Sequence, residues 1–286
     1  MGFKEKLVEK LQNELSEEEL ALLPRGFQTV GKCIIIKLKP ELMDKKHLIA
    51  KAYLEALPYI RSVYINAGVI EGQFREPQKI EYLAGEDDPV VKHKEHGVIY
   101  TFDITKIMFS QGNLKERKYL ASLVEDGEII VDMFAGIGYF SLPIAVLSNP
   151  EKIYSIELNP VAYKYLLKNV KLNNAEEIIV PILGDCKEKV IELKKKGIKA
   201  DRVIMGVFPA PEDYINEALM ITKDSGAVIH YEGVVDKEEK LKLYDQFSEM
   251  ASKSQYSTKL LDSRFVKSVG PNLYHQVVDI KVSKKV

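Results

Sequence analysis

Charge of one sign is missing from this chain. Its 41 Lys and Arg are matched by 42 Asp and Glu, leaving a formal net charge of -1. The overall balance therefore does not mark a polyanion binder, and any RNA contact has to come from local basic patches. Cysteine is scarce. Cys33 and Cys186 are far apart and have no metal-ligand spacing around them. That excludes a disulfide framework and suits reduced thiols in a cytoplasmic protein. No apolar run approaches the ~20 residues that span a bilayer, so no membrane partner is expected. The opening stretch MGFKEKLVEKLQNELSEEEL reads as one amphipathic charged helix and not as a signal peptide. Gly2 does not begin a myristoylation signal, because Lys6 stands where that signal needs Ser or Thr. Histidines 93, 96, 230 and 275 show no ligand spacing, so no metal site is expected. Repeats and low-complexity tracts are absent as well.

What is present is an ordinary globular mixture, 286 residues with 46% hydrophobic and 29% charged, enough for one large domain or two smaller ones. Two textures divide it. Residues 1–100 alternate short β-like runs with turns (GKCIIIKLKP, IRSVYINAG, KIEYLAGEDDP, GVIYTFDIT). They are interrupted by a helix, DKKHLIAKAYLEALP, with Asp44 as N-cap and Pro58 as its stop. This reads as a small N-terminal α+β domain. Residues 101–286 alternate strands and helices regularly from EIIVDMF to GAVIHYEG, which implies an α/β domain built on a doubly wound parallel sheet. The tail SVGPNLYHQVVDIKVSKK ends in an alternating strand, expected to run antiparallel at the sheet's far side.

The chemistry-bearing stretch is DMFAGIGYFSLPIA, a glycine turn between the run EIIV and a helix beginning near Tyr139. Gly136 and Gly138 give the turn freedom in φ and let backbone N–H groups approach a ligand. An acid, Glu157, closes the following strand, and either a dinucleotide or an S-adenosylmethionine site would put it on a ribose. Three features favour S-adenosylmethionine. Ser141 is only a partial match to the third glycine of the dinucleotide pattern. Asp132 precedes the turn, where a pyrophosphate would be repelled but an α-amino cation would not. Asp185, in GDC at the third strand's end, could accept a hydrogen bond from the adenine amino group. Residues 100–286 here resemble the class I S-adenosylmethionine-dependent transferase fold, a Rossmann-like sheet. Each acid taken singly would ordinarily be a solvated strand-end carboxylate.

FSQGNLKER, read bare, is a loop feeding a helix with Asn113 as N-cap and Glu116 in the capping-box position. Together with DMFAGIGYFSLP, IELNPVAYKYLLKNVKLNN, DRVIMGVFP and, nearer the start, LPRGFQTVGKCIIIKL, GVIEGQFREPQKIEYLAGED and HKEHGVIYTFDITK, it resembles the archaeal and eukaryotic family that modifies tRNA beside the anticodon. That family holds the tRNA guanine-37 N1-methyltransferases and their wybutosine-pathway relatives. The methylating branch carries Pro-Arg after FS and an Asn-hydrophobic-Pro motif after the fourth strand. This chain has Gly112 and Asn113 at the first place, and Gly206 with no Asn at the second. Both departures resemble the wybutosine branch, which moves a 3-amino-3-carboxypropyl group.

The resemblance implies S-adenosylmethionine as a donor that is consumed, no metal, and the anticodon arm of phenylalanine tRNA as partner, with no protein partner. It places Glu157 on the ribose, Asp185 and the Cys186 backbone at the adenine, and Phe134, Gly136 and Gly138 under the cofactor's centre. Ser110 and Arg117 would hold the amino-acid arm, Arg117 through its carboxylate. Asn113 and Pro209 would help position the reacting groups, and no catalytic side chain is assigned. The first domain would position the anticodon arm, with Arg61, Arg75, Lys92, Lys94, Arg264 and Lys267 as candidate RNA contacts. His96 and His230 are expected to be scaffold. The alternatives are a guanine-37 N1-methyltransferase and a non-catalytic tRNA-binding protein.

Overall fold

The computed structural model describes residues 2–66, 68, 70–71, 76–77 and 80–285. The chain forms two compact units, residues 1–94 with 99–109, and residues 95–98 with 110–286. The passages between them fall at several points, where a single boundary near 100 was expected from texture. Arg75 lies outside the described residues.

In the first unit the opening charged stretch makes two helices, α1 (Phe3–Leu11) and α2 (Glu17–Leu22). The break comes from Ser16, which caps α2 with its hydroxyl on the Glu19 N–H at 3.2 Å, while Glu19 returns a carboxylate to the Ser16 N–H at 2.8 Å. Strands β1 (Gln28–Val30) and β2 (Cys33–Ile36) are followed by a 3-10 turn, Pro40–Lys45, and helix α3 (Lys46–Ala56). That turn absorbs Asp44, so α3 starts later than the sequence suggests and is capped by Lys45. Next come β3 (Ser62–Asn66), the short β4 (Ile70–Glu71) and β5 (Glu76–Pro77), and β6 (Ile80–Gly85). The ribbon of β7 (Val90–Glu95) and β8 (Val98–Asp103) follows. The sheet order is β1-β2-β3-β6, with β2 and β3 parallel across α3. Ile49, Ala50 and Tyr53 of α3 close its core with Leu7, Leu11, Ile34, Ile36, Val63 and Ile65.

The second unit begins with α4 (Leu114–Ser122) and then alternates. The order is β9 (Ile129–Asp132), α5 (Ser141–Leu147), β10 (Lys152–Glu157), α6 (Pro160–Leu172), β11 (Ile179–Leu183) and α7 (Cys186–Lys195). After these come β12 (Arg202–Met205), α8 (Ile215–Ile221), β13 (Ala227–Asp236), α9 (Lys242–Lys253), β14 (Tyr256–Gly270) and β15 (Leu273–Lys284). Seven strands lie in the order β11-β10-β9-β12-β13-β15-β14. The first five are parallel, and β15 is antiparallel to both β13 and β14. The order reverses between β9 and β12, and ligands of such sheets bind outside the strands' carboxyl ends at that reversal. One face is sealed by apolar residues of α7, α8 and α9, among them Val190, Leu219 and Phe247, against Val131, Val203, Ile229 and Ile280.

The other face carries a polar row. Ser155, Asp132, Ile204, His230, Asp279 and Asp262 are successive register partners across β10, β9, β12, β13, β15 and β14. Residues in register point to the same side of a sheet, so five polar side chains line up there. Helices α4 and α5, packed on each other, cover this side.

Candidate active site

The turn after β9 holds two left-handed glycines, Gly136 at φ 57° and Gly138 at φ 97°. A Cβ on Gly136 would lie 2.4 Å from the Tyr139 ring, so conformation and space both require glycine here. The turn is locked by Gly138 N–H on the Ala135 carbonyl (2.8 Å) and by the Asn169 amide on the Ile137 carbonyl (3.1 Å). Glu157 reaches back across the carboxyl edge. One carboxylate oxygen accepts from the Gly136 N–H at 2.6 Å, the other from the Asn159 N–H at 2.7 Å. Burial pushes its carboxyl above the ordinary value, and these backbone donors oppose that shift.

Asp132, the acid that precedes the turn, faces inward. It is 0% exposed and accepts from the Ser141 hydroxyl at 2.7 Å and the Phe134 N–H at 3.3 Å. Ser141 in turn touches Ser155 at 2.7 Å. Burial pushes the Asp132 carboxyl up to about 6. It is the internal brace of the glycine turn, fastening it to the start of α5.

Asp185 caps α7 with one oxygen on the Lys187 N–H at 2.8 Å. Cys186 begins that helix with its thiol buried, and burial pushes the thiol's pKa far up, which leaves it unreactive. Beside them stands Tyr214, a residue the sequence did not single out. Its ring meets Phe134 edge-on at 5.2 Å and lies under the Lys187 ammonium at 4.8 Å. An aromatic just before α8 carried no spacing signal that could have marked it.

The segment Ser110–Arg117 behaves differently from expectation. Arg117 is 2% exposed, and its guanidinium forms a bidentate pair with Glu95, with the second contact at 2.9 Å. Its remaining nitrogen donates to the Ser110 carbonyl at 3.0 Å. Three of its five N–H groups thus hold Glu95 and the loop that carries Ser110. Asn113 caps α4 without a side-chain hydrogen bond, and Glu116 makes no capping box because Arg264 takes it, at 2.6 to 3.1 Å. The Asn113 side-chain carbonyl is buried with no hydrogen-bond partner among the described residues. Ser110 Oγ accepts from the Lys267 ammonium at 2.6 Å. Arg264 and Lys267, expected among the RNA contacts, are therefore internal ties from β14 to the start of α4. Arg61 is similarly occupied, with the carbonyls of Asp88 and Val90 at 3.1 Å. His96 contacts the Leu114 carbonyl at 3.2 Å, a scaffold contact. Pro209 is exposed in the loop after β12.

Among the described residues no group of three or more His, Cys, Asp or Glu side chains could hold a metal, and no helix is long and apolar enough to cross a membrane.

Sheet order, glycine turn and strand-end carboxylate together define the class I S-adenosylmethionine-dependent transferase fold, preceded by a small α+β unit. Residues 91–259 match the TRM5/TYW2 methyltransferase domain, and residues 7–88 match the TYW2 N-terminal domain. The chain belongs to the TRM5/TYW2 family. It is 37% identical to the tRNA(Phe) (4-demethylwyosine(37)-C(7)) aminocarboxypropyltransferase of Pyrococcus horikoshii, over 99% of this chain and 98% of that one. The crystal structure of P. horikoshii TYW2 in complex with MeSAdo superposes with a TM-score of 0.85 at 34% identity, covering 99% of this chain and 100% of that one. The tRNA (guanine(37)-N(1))-methyltransferase Trm5b of Pyrococcus abyssi is 32% identical over 93% of this chain and 78% of its own.

Proposed function

We propose that this chain transfers the 3-amino-3-carboxypropyl group of S-adenosylmethionine to 4-demethylwyosine at position 37 of phenylalanine tRNA, releasing 5′-methylthioadenosine. The observation that carries the choice of chemistry is at Gly206. A Cβ there would stand 2.6 Å from the Phe140 ring, so the loop after β12 has no room for the asparagine of the methylating branch. At the other departure, Gly112, a Cβ would meet the Lys267 side chain at 2.6 Å, the same side chain that holds Ser110. Gly206 is thus fitted to a packed ring, whereas the lysine beside Gly112 can swing aside. The name of the Pyrococcus horikoshii relative, similar over the whole chain, supports the same reaction.

A sulfonium has three carbons open to displacement, and the one held in line with the nucleophile at ~3–3.5 Å reacts. Seating the methionine arm so that its γ-carbon faces the acceptor changes the product without a metal or a covalent enzyme intermediate. In this reading Glu157 binds the ribose hydroxyls, and Asp185 with the Cys186 N–H meets the adenine, flanked by Tyr214 and Phe134. The turn from Phe134 to Gly138 supports the centre of the donor. Ser110 and the Asn113 carbonyl receive the amino-acid arm, and Arg117 acts behind them by holding their loop. Pro209 borders the acceptor base.

The N-terminal unit positions the anticodon arm. Lys92 and Lys94 are exposed and alternate on one face of β7, as phosphate contacts would. The compartment is the cytoplasm, where tRNA is found.

The test uses precursor tRNA with carboxyl-labelled or methyl-labelled S-adenosylmethionine. Carboxyl label should enter RNA bearing 4-demethylwyosine, methyl label should leave in 5′-methylthioadenosine, and RNA with unmodified guanosine 37 should take up little of either. Methyl label entering either RNA, with S-adenosylhomocysteine as by-product, would overturn the proposal in favour of methylation. Binding of tRNA without any transfer would leave only the binding-protein reading.

A further inference from the structure

The polar row continues past the end of the parallel sheet. β12 ends in register with Tyr231, so Glu232 to Asp236 of β13 project beyond the carboxyl edge, over the side where the donor binds. In that overhang β13 pairs with β15, Glu232 with Val277 and Val234 with His275, which puts Glu232 and His275 on the same face as His230 and Asp279.

His230 is fully buried between two carboxylates, Asp279 at 2.8 Å on Nδ1 and Glu232 at 3.2 Å on Nε2. Burial alone would lower its pKa, but the two carboxylates outweigh it and hold the ring up at about 9. The carboxylates thus favour the charged ring, opposed by the Arg264 guanidinium 3.3 Å from Nδ1. Burial alone would raise Glu232, yet hydrogen bonds from His230 and His275 outweigh it and hold it at about 2. Its second oxygen lies 3.1 Å from Nε2 of His275. Against an ionised carboxylate that nitrogen donates, and in the neutral tautomer that does so Nδ1 carries the lone pair. His275 Nδ1 is buried and has no hydrogen-bond partner among the described residues. A nitrogen left so is costly to a fold and asks for a chemical reason. Next to it is Phe208, edge-on at 4.4 Å, from the Gly206–Pro209 loop assigned to the acceptor base.

The charges reinforce the geometry. Glu116, Asp279 and Glu232 face Arg264 and the His230 ring, with Asp262 at the solvent edge. Two other nearby acids are turned elsewhere. Both Glu116 oxygens accept from Arg264, and Asp132 is turned to Ser141.

We propose that His275, oriented by Glu232, is the base that removes the proton from the acceptor's ring carbon once the new bond to it has formed. The inference rests on the transfer reading above. The ring carbon attacks the γ-carbon of the arm; a C–C bond forms, the C–S bond breaks, and its electron pair stays on sulfur as the neutral thioether. The positive charge passes to the tricyclic base, which loses its C–H proton to Nδ1 of His275, and Glu232 faces the resulting imidazolium. The pair reproduces the carboxylate-backed imidazole of acyl-transfer enzymes, with the nitrogen opposite the carboxylate as the working atom.

The experiment compares the parent protein with His275→Gln and Glu232→Gln, using acceptor tRNA protonated or deuterated at the reacting carbon and carboxyl-labelled donor. His275→Gln should lower kcat by ~100-fold or more, the scale of a lost general base. It should also raise the deuterium isotope effect above the parent's, because proton loss becomes slow. Affinity for 5′-methylthioadenosine and the melting temperature should stay near the parent's. Glu232→Gln, which leaves the imidazole in place, should show a smaller rate loss with the same isotope signature. A parent that transfers, with variants whose isotope effect is unchanged or whose rate loss follows lost ligand binding, overturns the base assignment alone. A parent that places no carboxyl label in the RNA overturns the transfer reading and the base with it.

Discussion

Glu157 is engaged by two backbone N–H groups before any ligand is present, and each carboxylate oxygen keeps a lone pair for a hydroxyl. Glu157→Ala removes that acceptor and unties Gly136. The expected outcome is a loss of ~1.5–3 kcal/mol in affinity for 5′-methylthioadenosine, the range for charge-assisted hydrogen bonds. Calorimetry checks it, and unchanged affinity would take Glu157 off the ribose. At this scale the sequence was legible for Gly136, Gly138 and Glu157, whose roles depend on position in a local strand–turn–helix unit. It did not show the internal partners of Asp132 and Arg117, because burial and the pairing of Arg117 with Glu95, 22 residues away, are properties of the folded chain.

At the scale of elements, the start of α4 is held by charge pairs. Arg117 joins it to Glu95, and Arg264 joins Glu116 to β14. Removing one partner from a buried pair leaves the other uncompensated. Arg117→Met should destabilise the second unit by ~3–5 kcal/mol, seen as a lower urea midpoint. Equal losses of affinity for S-adenosylmethionine and 5′-methylthioadenosine would mark a role in shaping the loop alone. A selective loss for the donor with unchanged stability would return Arg117 to the substrate. The alternation of strands and helices and the antiparallel final strand were readable from periodicity. The split of the first helix was not, because NELSEEEL carries both a helical pattern and the Ser16–Glu19 capping box. Nor was the covering of the polar row, whose members come from six strands spread along more than a hundred residues.

For the molecule as a whole, pH should act through the buried cluster. His230 is raised from 6.5 to about 9, so its contribution is complete below pH 6.5 and fades as pH climbs through about 9. Glu232 and Asp279, held at about 2, contribute above the ordinary carboxylate range and lose that contribution as pH falls through about 2. Asp132, raised from 3.8 to about 6, favours the folded state only below that window and opposes it above. Urea midpoints should therefore decline between pH 6.5 and 9, and His230→Gln should flatten that decline. An equal slope in the variant would show that the cluster does not titrate as described. The same cluster has a consequence for synthesis. Glu116 meets Arg264 148 positions later, and His230 meets Asp279 49 positions later. Domains form as the chain leaves the ribosome from its N-terminal side. The second unit can thus be completed only after β14 and β15 have emerged, because α4 is fastened to β14 and His275 of β15 meets Glu232. Its sheet closes with the last hairpin, after the first unit's chain has already left the ribosome.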